Sequence, residues 1–137
     1  QDPRVVLRER TNARHLTPSD LEETPDLAVM DVSFISILKI LPALGTILAP
    51  EGDLVSLVKP QFEAGRADVG RGGLVKDPSV HARVMNTVCD GAGALGFEVR
   101  AVCRSPIEGS SGNREFFLHA LCRPTGKPET VTPGGSV

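Results

Sequence analysis

The sequence predicts an α/β fold: a mostly parallel sheet that closes with an antiparallel strand. Three observations carry this. Short apolar runs alternate with helical patterns, as strands joined by crossover helices do. Two of those runs, residues 26–31 and 53–58, lack clean polar alternation, which suits strands buried on both faces. The last two runs are linked only by residues 105–114, a helix-free connection that favours an antiparallel hairpin.

Taken in order, Val5-Val6-Leu7 follows Pro3 and reads as a strand ending near Arg8. Thr17-Pro18-Ser19-Asp20 carries a helix start, with acids in the first turn, and Thr24-Pro25 stops it. Asp26-Leu27-Ala28-Val29-Met30-Asp31 is the next strand, and Val32 to Ser36 turns the chain into a helix over 37–48 that Pro42 should kink. Residues 53–58 (DLVSLV) form a strand ending at Lys59-Pro60. A loop from Gln61 to Asp77 follows, rich in Gly, Arg and Lys. Asp77-Pro78-Ser79 caps a helix over 80–95, and Gly96 ends it. Residues 97–103 and 115–122 are the final strands, and the Pro/Gly/Thr-rich stretch 124–137 reads as a disordered tail.

The composition narrows the function. With 15 basic and 17 acidic residues in 137, the net charge is −2, which excludes a domain that grips nucleic acid by bulk positive charge. Trp and Tyr are absent, so a broad stacking platform for bases is excluded too. No apolar run approaches a membrane span. Cys89, Cys103 and Cys122 have neither CxxC spacing nor an even count, and read as small buried hydrophobes of a reducing cytoplasm. His15, His81 and His119 are scattered, so no metal site is expected. The chain begins Gln1-Asp2-Pro3, without Met, and reads as part of something longer.

Ligands of open α/β sheets bind beyond the carboxyl ends of the parallel strands. Asp31 closes one strand and Lys59 the next, while Glu115 begins a strand expected to run the other way. All three should therefore share one rim. A lone charge at a strand end is ordinarily just solvated; three beside Gly-rich loops make a candidate site. Residues 63–77 read equally as a basic flap over a phosphate backbone or as a plain mobile connection; no P-loop pattern is present. Asn113 either contacts a ligand or caps its turn.

Five blocks then match a known pattern in order: RERTNAR (8–14), DVSFIS (31–36), LVKPQFEAGR (57–66), VGRGGLVKDP (69–78) and SPIEGSSGNREFF (105–117). They resemble the TlyA (hemolysin A) family of FtsJ-like ribosomal RNA ribose 2′-O-methyltransferases. The resemblance covers most of residues 3–123. It implies a Rossmann-like fold and S-adenosylmethionine-dependent methylation of a cytidine ribose 2′-hydroxyl in ribosomal RNA or ribosomal subunits. Of the Lys-Asp-Lys-Glu tetrad of such enzymes, it assigns the Asp to Asp31, the second Lys to Lys59 and the Glu to Glu115. The first Lys, the Gly-rich cofactor loop and the S4-type RNA-binding domain have no counterpart here.

On this resemblance, residues 1–123 are the carboxyl-terminal portion of a methyltransferase domain, lacking its first two strands and inactive alone. Thr11, Asn12, Asp31 and Val32 are what it retains for the cofactor. Arg66, Arg71, Lys76, Arg104 and Arg114, in or beside the loops over the presumed site, are the expected RNA contacts. An ordinary lysine is protonated at pH 7, so Lys59 is assigned to holding the hydroxyl while Asp31 orients it. Three other readings compete: a non-catalytic or merely RNA-contacting remnant, a pore-forming hemolysin, and a nucleotide-binding α/β domain with another substrate. The 37–48 segment is too short to span a bilayer, which counts against the pore.

Overall fold

A computed structural model describes residues 2–109 and 111–123. Four strands form one sheet: β1 (Leu27–Met30), β2 (Asp53–Val58), β3 (Phe97–Arg104) and β4 (Phe116–Cys122), in the spatial order β1-β2-β4-β3. β1 and β2 are parallel, whereas β4 is antiparallel to both β2 and β3. Three strands thus run one way and β4, inserted between β2 and β3, runs the other. This is the mixed α/β sheet expected, with its closing antiparallel strand.

The core lies on one face. Leu54, Ser56 and Val58 of β2 and Leu118, Ala120 and Cys122 of β4 are buried. Against them lie α1 (Leu41–Ile47), the 3-10 turn Ile37–Lys39 and α3 (Pro78–Ala94). The apolar stripe of α3 comes from Val80, Val84, Val88 and Ala92, spaced four apart so that they share one face. Asp77 caps this helix, its carboxylate accepting from the Ser79 N–H at 2.9 Å, and Pro78 occupies the first turn. Those backbone and hydroxyl bonds hold the Asp77 carboxyl below the usual range. At the other end Gly96 has φ +95°, a conformation that favours glycine.

Several expectations are corrected. Val5-Val6-Leu7 forms no strand: among the described residues no neighbouring strand hydrogen-bonds it, and all three side chains are exposed. The helix begun at Thr17 is one 3-10 turn, Pro18–Asp20, with a capping box between Thr17 and Asp20. β1 is not buried on both faces, because it is an edge strand with one face uncovered, and Val29 is 74% exposed. The helix over 37–48 divides into the turn Ile37–Lys39 and α1. Pro42 sits in the first turn of α1, where its missing N–H costs nothing, so it starts that helix rather than kinking it.

The expected loop over 61–77 contains α2 (Pro60–Glu63) and the turns Arg66–Asp68 and Arg71–Gly73. Of the cysteines only Cys122 is buried; Cys89 is half-buried and Cys103 exposed, because β3 lies at the other edge of the sheet. Residues 124–137, read as a tail, lie outside the described residues. Among the described residues, no helix is long and apolar enough to cross a membrane.

Candidate active site

Strand direction places the site. The pairings Met30↔Ser56, Val58↔Phe116 and Arg104↔Phe116 bring the carboxyl ends of β1, β2 and β3 to one rim with the start of β4. Asp31, Lys59 and Glu115, each one residue beyond a strand, therefore converge. They line one cleft of about 380 Å³ with Ser33, Phe34, Gln61, Phe62, Gly109 and Ser111. Lys59 Nζ lies 2.6 Å from Asp31 Oδ1 and donates to Ser33 Oγ at 3.3 Å. The lysine side chain is only 13% exposed, whereas that of Asp31 is 66% exposed. An ammonium tethered at the floor beneath an open carboxylate can orient a hydroxyl while the carboxylate still faces a cationic ligand.

Glu115 is 8% exposed, and Gly109 makes room for its carboxylate. A Cβ at Gly109 would collide with Glu115 Oε2 and lie 3.1 Å from its Cδ. The Gly109 N–H donates to the Asn113 carbonyl at 2.8 Å, and the Ser105 N–H to the Glu115 carbonyl at 2.8 Å, so the 105–115 loop folds back upon itself. Asn113, 1% exposed, accepts from the Val75 N–H at 2.9 Å and donates to the Gly73 carbonyl at 2.8 Å. It is neither of the two things the sequence offered. It ties the Glu115 loop to the Gly-rich loop.

Sequence reasoning missed the cleft's aromatic wall. Phe34 is 88% exposed and holds φ +66°, a left-handed backbone that is an outlier for a bulky side chain. Its ring lies 4.8 Å from that of Phe62, centroid to centroid. Strain of this kind, costing about 1–3 kcal/mol, clusters at functional sites. An aromatic residue in the short segment just past a strand end was the available signal. Gln61 lines the same cleft, and its buried Oε1 has no hydrogen-bond partner among the described residues.

Glu63 was missed as well. Its Oε1 accepts from Ser36 Oγ at 2.6 Å and its Oε2 from the Ile37 N–H at 2.9 Å. Burial pushes its carboxyl above the usual glutamate range, and the two donated bonds pull against that rise.

The remaining predicted residues divide. Thr11 Oγ donates to the Glu9 carbonyl and Asn12 caps the turn Ala13–His15, so both side chains serve their own turn. Neither they nor Val32 is among the cleft-lining residues. Among the cations, Lys76 and Arg114 share a groove of about 270 Å³ with His81, Glu108 and Ser111, and Ser111 also lines the cleft. Arg71 lies beside Lys76 in a second shallow groove, while Arg66 and Arg104 line neither. Arg104 nonetheless ends β3 on the same rim.

The chain is 51% identical over 120 residues to the "Putative rRNA methyltransferase YqxC" of Bacillus subtilis, covering 87% of this chain and 43% of that protein. It is 50% identical over 117 residues to the 16S/23S rRNA (cytidine-2′-O)-methyltransferase TlyA of Mycobacterium tuberculosis (85% and 44% covered). It thus spans less than half the length of these relatives. A solved structure, "Putative hemolysin from Streptococcus thermophilus", superposes with a TM-score of 0.87 at 47% identity, covering 90% of this chain and 45% of that one. At 17% identity, a 16S rRNA (adenine(1408)-N(1))-methyltransferase from Catenulisporales acidiphilia shares the fold with a TM-score of 0.54, covering 86% and 62%. The profile of the FtsJ-like methyltransferases matches residues 1–121, and the chain belongs to that family.

Proposed function

We propose that this chain carries the ribose-facing part of a catalytic site that methylates a cytidine 2′-hydroxyl in ribosomal RNA, with S-adenosylmethionine as donor. The observation that carries the reading is the Asp31–Lys59 pair, 2.6 Å apart, in one cleft with Glu115 at the shared rim. The names of the relatives supply the substrate class: both are named as rRNA methyltransferases, and the name of the Mycobacterium tuberculosis protein adds the cytidine 2′-oxygen.

Lys59 donates to the 2′-oxygen and fixes its direction of approach, and Asp31 holds Lys59 in place. Glu115, buried at the far wall, steadies the other side of the lysine or the ribose. The donor, when bound, supplies a methyl group on a positively charged sulfur. The exposed carboxylate of Asp31 fits that charge, while Thr11 and Asn12 add no convergent groups here. In-line attack by the ribose oxygen would form the O–CH₃ bond as the C–S bond breaks, the sulfur leaving as a neutral thioether and the hydroxyl proton passing to solvent water. Holding the oxygen at the correct angle is therefore the main contribution asked of the cleft.

Phe34 offers an exposed ring at the mouth on which an unstacked base can lie. Lys76 and Arg114, joined to the cleft through Ser111, suit the flanking phosphates, and Arg71 beside Lys76, Arg104 at the end of β3 and Arg66 in the turn after α2 are the further candidates. A local basic rim of this kind is compatible with an overall charge of −2.

The test uses the full-length protein. Lys59→Ala is expected to cut the single-turnover rate of rRNA methylation by roughly 10²-fold or more, with RNA binding retained. A normal rate in a folded variant removes the assignment.

A further inference from the structure

The two segments that form the cleft's walls run from Asp31 to Ser36 after β1 and from Lys59 to Glu63 after β2. They are joined at three points. At the open end stands the Asp31–Lys59 pair, and in the middle the Phe34 and Phe62 rings meet. At the closed end Glu63 accepts from both Ser36 Oγ and the Ile37 N–H. Ser36 is itself the cap of the turn Ile37–Lys39, its Oγ accepting from the Leu38 N–H at 3.1 Å. One carboxylate from the second wall thus completes the N-terminus of the turn that ends the first.

We infer that Glu63 is a positioning residue: by locking the wall after β1 to the wall after β2 it fixes how Asp31 meets Lys59. β1 and β2 end side by side, but each strand sets only the start of its segment. The segments have no hydrogen-bonded ladder beyond Met30 and Val58. Without a tie at the far end, the Val32–Ser36 loop, which carries Phe34 on a left-handed backbone, is free to relax and take Asp31 with it. A carboxylate is suited to this task because each of its two oxygens accepts a donor, here a hydroxyl at one and a backbone N–H at the other.

This inference rests on the proposed methyl transfer, so its test has a readout that does not. In the full-length protein, Glu63→Gln keeps size and polarity but loses one of the two acceptances. Expected is a drop of roughly tenfold or more in single-turnover methylation, with the KM for RNA little changed. Ser36→Ala should produce a fall in the same direction and adds no further loss to Glu63→Gln. In an Asp31→Asn background, Glu63→Gln should add nothing, because the pair through which it acts is already broken. Additive losses, or a normal rate in folded Glu63→Gln, overturn the positioning role.

If Glu63→Gln does not fold, Ser36→Ala alone decides, since it leaves the carboxylate with the Ile37 N–H. If the unaltered protein transfers no methyl group, the functional reading fails by itself. The positioning role is then read from the Lys59 side-chain nitrogen resonance of protein labelled at lysine. A shift on Ser36→Ala supports it, and an unmoved resonance overturns it.

Discussion

The two faces of the sheet differ more than their sequences do. On one face Leu54, Val58, Leu118 and Ala120 have no exposed surface and lie under α1 and α3. On the other, Val55 and Leu57 of β2 and Phe117 and Leu121 of β4 are half-buried, and Leu27 and Val29 of β1 are largely exposed. Yet DLVSLV is apolar at 54, 55, 57 and 58 alike, so the strand is built for two dry faces while one is covered by helices. Hydrophobicity marks surface that can be buried; burial itself requires a second element to arrive. The rim between the faces follows a third rule. Apart from the Phe34–Phe62 pair, the side chains lining its cleft are polar, and hydrogen bonds and an ion pair across loops tie its segments together.

The largest effect is expected on the packed face. Phe97 is 2% exposed at the start of β3, inside the core cluster. Phe97→Ala should cost about 3–5 kcal/mol in urea unfolding, since the ring's transfer energy and the cavity term add. A loss near 1 kcal/mol would mean that this face is less tightly filled than its burial implies.

The rim comes next. Asn113 makes two hydrogen bonds in a buried position, and its removal leaves the Val75 N–H and the Gly73 carbonyl to find other partners. Asn113→Ala should cost about 1–3 kcal/mol. It should also lower methylation by the full-length protein more than its stability loss explains, because the Glu115 loop comes free of the Gly-rich loop. Unfolding and activity measured together test this: a stability loss with unaltered turnover would make the tie structural only.

How far the sequence reached follows the same division. β2, α3 and the β3–β4 pair were legible because their signals are local: a dense apolar run, a capped helix with fourfold spacing, a short helix-free link. Asp31, Lys59 and Glu115 were legible because strand direction places strand ends without any knowledge of loops. Val5-Val6-Leu7 failed as a strand because a strand needs a neighbour, and three apolar residues cannot say whether one is present. Glu63, Asn113 and Gly109 were out of reach for a related reason. Glu63 meets Ser36 across 27 positions and Asn113 meets Val75 across 38, and no local pattern encodes a contact of that separation.

The smallest effect is expected where the open face meets the edge, and it probes the comparison most directly. Val29 is on β1, paired on one side only, and 74% of its surface is exposed. Val29→Ser removes two methyl groups from a side chain that touches little. Loss of β propensity and of marginal contacts should cost no more than about 0.5 kcal/mol, the usual range for surface substitutions. Measured by urea unfolding of the full-length protein, a cost above about 1.5 kcal/mol would match burial of a valine side chain instead. The open face would then have a cover in solution, and the contrast between the faces would belong to residues 2–123 rather than to the protein that contains them.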